Sequence, residues 1–246
     1  MNIENEVKKL EKIIIPYIIE YFENYSLNDL YSWDKFDYNI NLFTNDEITI
    51  LDRLNSFEKN VKLKSIINGK LSRENFNKEL YEWIINKWGG IRKFKNISGL
   101  ECFLILLNNG KYLSNSTIAS FSKVASFKYL NKYFIYDAHV SCAINWILIK
   151  NGDFNIKFFP FKFGENKDIS ENYNLKTILT LINSNVKYYD ENFYYFIYCE
   201  LLNSIFENIK NDIIQEPFYI EMMLFSISKS RKIINEIKEK IEIIIK

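Results

Sequence analysis

The stretch "IASFSKVASFKYLNKYFIYDAHV", Ile118 to Val140, sets one lysine, Lys123, among small and apolar residues and places one aspartate, Asp137, after a run of aromatics. Its pattern predicts a tight turn at Ser120 to Ser122, a helix that begins at Lys123, an extended piece, and a further helix capped by the Asp137 side chain. Each charged side chain would then stand at the start of a helix. We expect both of them to face the same crevice.

Helical periodicity continues on both sides of this stretch. Only seven glycines and three prolines interrupt the chain, and apolar residues mostly recur at helical spacing, which predicts an all-α, mainly helical fold. A short β element is expected near residues 34–50 or 154–163, where the pattern is least helical. The helices expected outside the central stretch are, approximately, Ile3 to Tyr25, Phe76 to Trp88, Leu100 to Asn109, Asn174 to Ile182, Asn192 to Ile209 and Pro217 to Ile245.

The sequence contains no evident linker or internal repeat, so residues 1–246 are expected to form one domain. Within it we distinguish an N-terminal helical part (1–75), a core around the quoted stretch (83–150) and C-terminal helices (165–246). With 48% hydrophobic residues over 246 positions, the chain can bury a substantial core.

The charge balance bears on nucleic-acid binding. A net charge of +1 creates no global attraction to a polyanion, so such binding would need a local basic patch. The candidates for that patch are Arg92, Lys93, Lys95, Lys128 and Lys132. The first three lie in "WGGIRKFK", which is compatible with a phosphate or flipped-base contact and equally with a helix end followed by a solvated turn.

Several classes of protein are disfavoured. Cys102, Cys142 and Cys199 are odd in number and widely spaced, which argues against a disulfide framework or a structural zinc site and predicts reduced, buried thiols. The chain does not start like a signal peptide, and no run approaches the ~18 apolar residues of a membrane span. We therefore expect a soluble, cytoplasmic protein with no membrane partner. The sequence shows no cofactor motif and no acidic cluster at metal spacing, so neither a cofactor nor a metal is expected.

The segments "SFSKVASF" and "YFIYDAHVSCAIN" resemble the helix-hairpin-helix DNA glycosylases, and more narrowly the bacterial proteins with the 8-oxoguanine DNA glycosylase fold. That family carries a turn, a lysine that opens a helix, and an aspartate that leads into the next helix. The late stretch "EPFYIEMMLFSI", Glu216 to Ile227, is similar to the acidic helix near the end of those proteins. The resemblance covers about Trp83 to Ile227.

This resemblance implies a DNA glycosylase that acts in DNA repair or anti-phage defence, with duplex DNA carrying a flipped nucleotide as its partner. Lys123 would attack the sugar carbon and form a Schiff base, and Asp137 would stabilise the positive charge that develops on the sugar. Strand cleavage by a lyase step would be open to such an enzyme. The resemblance also places Ser120, Phe121, Ser122 and His139 at the DNA.

The residues themselves leave other interpretations open. Lys123 is equally explained as a solvated lysine, Asp137 as a helix cap alone, and the lone His139 as a half-buried polar residue. Ser120 and Ser122 stand where the family carries hairpin glycines, which favours the alternative function. In that alternative the same fold is a non-catalytic module for binding nucleic acid or protein, and Lys123 is a phosphate contact.

Overall fold

The computed structural model describes residues 2–33, 36–39, 41–73, 77–91, 94–111, 117–162, 174–210, 212–230 and 232–240. The fold is mainly helical, as the sequence predicts. The helices are α1 (Ile3–Asn24), α2 (Leu27–Leu30), α3 (Asn45–Asp52), α4 (Ser56–Arg73), α5 (Lys78–Glu82), α6 (Ile97–Asn108), α7 (Ile118–Lys128), α8 (Ala138–Asn151), α9 (Leu175–Ile182), α10 (Tyr194–Ile209), α11 (Phe218–Lys229) and α12 (Lys232–Lys240). A π-helix, Trp83–Trp88, continues directly from α5.

The opening helix α1 follows from its capping residue and its apolar stripe. The Asn2 side chain accepts a hydrogen bond from the backbone N–H of Asn5, which satisfies one of the free donors at the helix start. The predicted stripe is buried and consists of Val7, Leu10, Ile14, Ile18 and Phe22. It packs α1 against α10 and α8, so the N-terminal and C-terminal parts of the chain share one core.

The core is densest around α7 and α8. In α8 every residue from Val140 to Ile149 is buried, and α8 packs against α11. In α7 every residue from Ser120 to Phe127 is buried, and α7 packs against α4 and the π-helix. Both helices are therefore enclosed by other elements on all sides over most of their length.

The predicted turn at Ser120 to Ser122 is wrong. These residues belong to α7, which begins at Ile118, so Lys123 lies in the second turn of a helix and not at its start. The serines favour a turn in isolation, but burial of Ile118, Phe121 and Val124 along one helix overrides that preference. The Ser122 hydroxyl is satisfied because it accepts a hydrogen bond from the backbone N–H of Tyr136 at 3.0 Å.

The β element is confirmed near residues 154–163 and not near 34–50. Strand β1 (Lys157–Phe158) pairs in parallel with β2 (Lys187–Tyr188), with Lys157 opposite Lys187 and Phe158 opposite Tyr188. Among the described residues of 34–50 the structure has no strand, and Asn45 already begins α3. A capping box between Thr44 and Glu47 starts that helix.

Three further expectations are corrected. The helix expected from Pro217 to Ile245 ends at Lys229, and α12 begins anew at Lys232. This break lets Glu236 accept a hydrogen bond from Trp146 on α8. The apolar run of α6 predicts a central helix, but one of its faces is on the surface, because Ile105 is 55% exposed. Cys102, on the same outer side of α6, is exposed and not buried.

Among the residues that the structure describes, no helix is long and apolar enough to cross a membrane.

Candidate active site

Lys123 and Asp137 form a close ion pair. The Lys123 Nζ lies 3.0 Å from the Asp137 Oδ2 and donates a hydrogen bond to it. The other carboxylate oxygen of Asp137 accepts from the backbone N–H groups of His139 and Val140, at 3.0 and 3.2 Å. The predicted cap of α8 is thus present, and the same carboxylate reaches the lysine on α7. The two side chains meet, and the shared crevice that we expect them to face stays a prediction.

The charge state of Asp137 follows from its surroundings. Burial acts to raise the pKa of its carboxyl group, but the charges of Lys123 and His139 and the hydrogen bonds from Lys123 and Val140 together hold that pKa below its usual value. Asp137 is therefore an anion at neutral pH. Its side chain keeps 16% of its surface exposed, compared with 7% for the side chain of Lys123. The carboxylate is the more open member of the pair.

Gly89 makes room for the Lys123 side chain. A Cβ at position 89 would lie 2.7 Å from the Lys123 Cδ and 2.8 and 2.9 Å from the carbonyl oxygens of Ile85 and Ile84. Side-chain atoms do not approach that closely, so a residue without a side chain is required here. The sequence pattern marked Gly89 only as a helix stop.

The π-helix sets the position of Gly89. Its wider turn is closed by a hydrogen bond from the Gly89 N–H to the Ile84 carbonyl at 2.8 Å, and π-helical turns often occur at functional sites. The Trp88 carbonyl accepts from the Trp33 ring N–H at 2.9 Å, and the Trp88 ring N–H donates to Asn60 at 2.8 Å. The residue before Gly89 is thus held by the half-buried Trp33 and the buried Asn60, both from the N-terminal part of the chain.

Two further charged residues lie in the core next to the pair. The sequence analysis named neither as a site residue, although Glu221 lies in the quoted stretch from Glu216 to Ile227. Lys64 on α4 and Glu221 on α11 have side chains that are 2% and 4% exposed, and their charged atoms are 3.9 Å apart. Burial raises the pKa of Glu221 and lowers that of Lys64, and each partner opposes the shift of the other. The sequence did contain a signal for Lys64, namely a charged residue on an otherwise apolar helical stripe. Lys64 follows Leu63 and precedes Ile67 on such a stripe.

A half-buried aromatic wall lies beside Asp137. The His139 ring is 4.9 Å from the Phe225 ring, and Phe225 lies 5.6 Å from Trp33. The Nδ1 atom of His139 is 3.1 Å from the Ser228 hydroxyl. His139 is half-buried, in agreement with the simpler interpretation of this residue.

The three residues predicted to meet DNA at the hairpin are buried. Ser120 is 8% exposed, and Phe121 and Ser122 are fully buried. Phe121 packs edge-on against Phe94 at 5.9 Å. Because α7 is enclosed along this stretch, these side chains pack in the core, and the DNA contacts expected of Ser120, Phe121 and Ser122 stay a prediction that this burial does not favour.

The predicted basic patch is only partly described. Lys95 and Lys132 are exposed, which suits a contact with phosphate. Lys128 is half-buried and donates a hydrogen bond to the Tyr81 hydroxyl at 3.0 Å. Arg92 and Lys93 lie outside the described residues.

Other chemistries find little support in the described part of the chain. No group of three or more His, Cys, Asp or Glu residues is placed there to hold a metal ion. Burial raises the pKa of the Cys142 thiol to about 12, so Cys142 is not a thiolate nucleophile at neutral pH.

Comparison with known proteins gave no match: no family model, no curated protein and no solved structure is significantly similar to this chain.

Proposed function

We propose that this protein is a DNA glycosylase of the helix-hairpin-helix type, which excises a damaged or modified base with Lys123 as nucleophile and Asp137 as its anionic partner. The observation that carries the proposal is the 3.0 Å contact between the Lys123 Nζ and the Asp137 carboxylate, a pair that is largely buried in the core. The pKa of Asp137 is shifted, and groups with shifted pKa values are more frequent at functional sites than elsewhere.

The chemistry starts from an ion pair, whereas attack needs a lone pair on the amine. The Lys123 proton therefore has to leave as the substrate binds. Asp137, in hydrogen-bond contact, accepts that proton and passes it to the departing base, which returns Asp137 to its anionic form. The amine then forms a bond to C1′ of the sugar as the bond from C1′ to the base breaks, and the base leaves with that electron pair and takes up a proton. Opening of the sugar ring yields the Schiff base, which water can hydrolyse.

Asp137 would also stabilise the positive charge on the sugar as the base departs. An anion held by two backbone N–H groups is fixed in place before the reaction and needs no reorganisation during it. Its greater exposure puts it on the side of the pair from which a nucleotide would approach.

A specific observation favours the second candidate, a non-catalytic module for binding nucleic acid or protein. Residues Ser120 to Ser122 are helical and buried, so they do not form an exposed phosphate-binding hairpin. In this alternative the sequence predicts that Lys123 contacts phosphate. Because its side chain is 7% exposed and paired with Asp137, it is better described there as half of a structural ion pair.

Borohydride trapping separates the two candidates. Duplexes that carry an abasic site or one of several modified bases are incubated with the protein and reduced, and the covalent adduct is located by peptide mapping. The glycosylase proposal expects an adduct on Lys123 that is abolished in Lys123→Gln. Lys70→Gln is the control, because Lys70 is also ion-paired, with Glu47 at 2.8 Å, although its side chain is half-buried and that of Lys123 is buried. If the wild type binds these duplexes yet releases no base from any of them and forms no adduct, the non-catalytic module is the better description.

A further inference from the structure

The buried Lys64 and Glu221 have no role in the chemistry described above. They come from α4 and α11, helices far apart in the sequence. Their charged atoms are 3.9 Å apart, a long contact for two groups that have lost nearly all of their hydration. Lys64 also lies over the rings of Phe127 and Phe218, at 5.1 and 5.3 Å.

Stability alone does not account for such a pair. Desolvation of two charges usually costs as much as their attraction returns, and apolar residues of similar volume often fill the same space with no loss of stability. The position between two phenylalanine rings would suit an apolar side chain well. The contacts that the two charged groups make with other parts of the chain are therefore informative.

Lys64 reaches the helix that carries Lys123. Its Nζ donates to the Ser126 hydroxyl at 3.3 Å, and that hydroxyl donates to the Lys123 carbonyl at 2.8 Å. Glu221 reaches the segment that carries Asp137. Its Oε2 accepts from the backbone N–H of Ile135, two residues before Asp137, at 2.9 Å. One partner thus holds the lysine helix and the other holds the aspartate segment.

We propose that Lys64 and Glu221 are positioning residues, which together hold α7 against the segment before α8 at the separation that joins Lys123 to Asp137. The two residues act through the backbone around the site and touch no substrate. Their effect on catalysis rests on the proposed function, whereas their effect on the geometry of the pair does not.

The activity test uses Lys64→Met, Glu221→Gln and the double variant, with the Lys70→Met and Glu47→Gln double variant as a matched control on the same helix. Base release is measured in single turnover with enzyme saturating, at a temperature where circular dichroism shows each variant folded. We expect the rate to fall about 10- to 100-fold, the effect of a displacement of about 1 Å at a reacting group. Affinity for the duplex should stay within about twofold, because neither residue meets DNA.

The double variant separates positioning from stability. Met and Gln leave no unpaired buried charge, so this variant should regain the thermal stability that the single variants lose. We expect its rate of base release to stay low. If the rate returns together with stability, the pair is merely structural and the proposal is wrong.

A test without DNA keeps the inference separate from the proposed function. Reductive methylation with formaldehyde and cyanoborohydride is followed at Lys123 by peptide mass spectrometry. In the wild type Lys123 is 5% exposed and ion-paired, so its methylation should be slow. In the Lys64→Met and Glu221→Gln double variant we expect methylation about tenfold faster or more, and in the Lys70 control no change. An unchanged rate at Lys123 would overturn the inference, whatever the outcome on DNA.

Discussion

At the scale of the residue, Gly89 decides where the Lys123 side chain can lie. The lysine passes over the backbone at the end of the π-helix with no space for even one extra carbon atom. Two of the three close atoms are backbone carbonyl oxygens of Ile84 and Ile85, which cannot rotate out of the way. The constraint therefore applies to any residue other than glycine.

Gly89→Ala tests this constraint. We expect a loss of about 1–3 kcal/mol in the free energy of unfolding, the usual cost of overpacking, together with loss of trapping at Lys123. Gly69→Ala is the control, because Gly69 lies inside α4 with nothing within 4 Å of an added Cβ. That variant should gain up to about 1 kcal/mol from helix propensity. Urea unfolding measures the stability of both variants. Equal stabilities would contradict the close approach of the Lys123 side chain and the two carbonyl oxygens to Gly89.

At the scale of the element, Asp137 links the start of α8 to the lysine on α7. Its cap was predictable because an aspartate before an apolar helical stripe is a local signal. The start of α7 was not, since Ser120 and Ser122 carry a local preference for turns that only the packing of α4 and the π-helix reverses. Local signals located the residues of the pair, and long-range packing determined where α7 begins and so where Lys123 lies along it.

The ion pair of Asp137 with Lys123 predicts how the free energy of unfolding varies with pH. The pKa of Asp137 is lower in the folded protein than its usual value of 3.8. Its ionised form therefore stabilises the fold at pH values above that usual value, and the contribution is lost as the pH falls through the lower, folded value. We expect Asp137→Asn to cost about 3 kcal/mol at pH 7, because Lys123 loses its buried partner. The difference from the wild type should shrink below about pH 4.

Urea unfolding between pH 7 and pH 3 measures this dependence. Glu221→Gln serves as a contrast, because its stability relative to the wild type should change with pH in the opposite direction. Burial raises the pKa of Glu221 in the fold, so the wild type loses stability relative to this variant as the pH rises through the folded value. Parallel curves for the wild type and Asp137→Asn would show that the aspartate is not ionised in an ion pair.

At the scale of the whole molecule, charge limits how DNA can be bound. The chain carries 32 basic and 31 acidic residues, so attraction to phosphate has to be local and short in range. Of the patch predicted from the sequence, Lys95 and Lys132 are exposed. Among the described residues of this patch, these two exposed lysines would supply two phosphate contacts.

Binding to duplex DNA should accordingly be weak and dependent on salt. Two neutralised phosphates predict an affinity about tenfold lower at about 200 mM salt than at about 50 mM. Lys95→Glu and Lys132→Glu should each weaken binding and flatten the salt dependence, whereas Lys176→Glu, at an exposed lysine on α9, should not. Fluorescence anisotropy measures all of these, and binding that is insensitive to salt would rule out this patch.

The distances between residues along the whole chain explain which residues of the site could not be assigned from the sequence. Lys123 and Asp137 are 14 residues apart and share one quoted stretch, so a single pattern includes both. Lys64 and Glu221 are separated by most of the chain and meet only in the fold. One lysine among many in an amphipathic helix has no distinguishing mark until its neighbours are known.

The spread of the four buried charges along the chain has a consequence for synthesis on the ribosome. Lys64, Lys123 and Asp137 emerge from the ribosome in that order. Glu221, the last of the four, emerges almost a hundred residues after Lys123. Until then Lys64 is without its carboxylate partner, and its burial is unfavourable. We therefore expect α4 and α7 to pack together only after α11 has been synthesised. A chain released before residue 221 would carry the lysines without a closed core, which makes it a ready target for proteolysis.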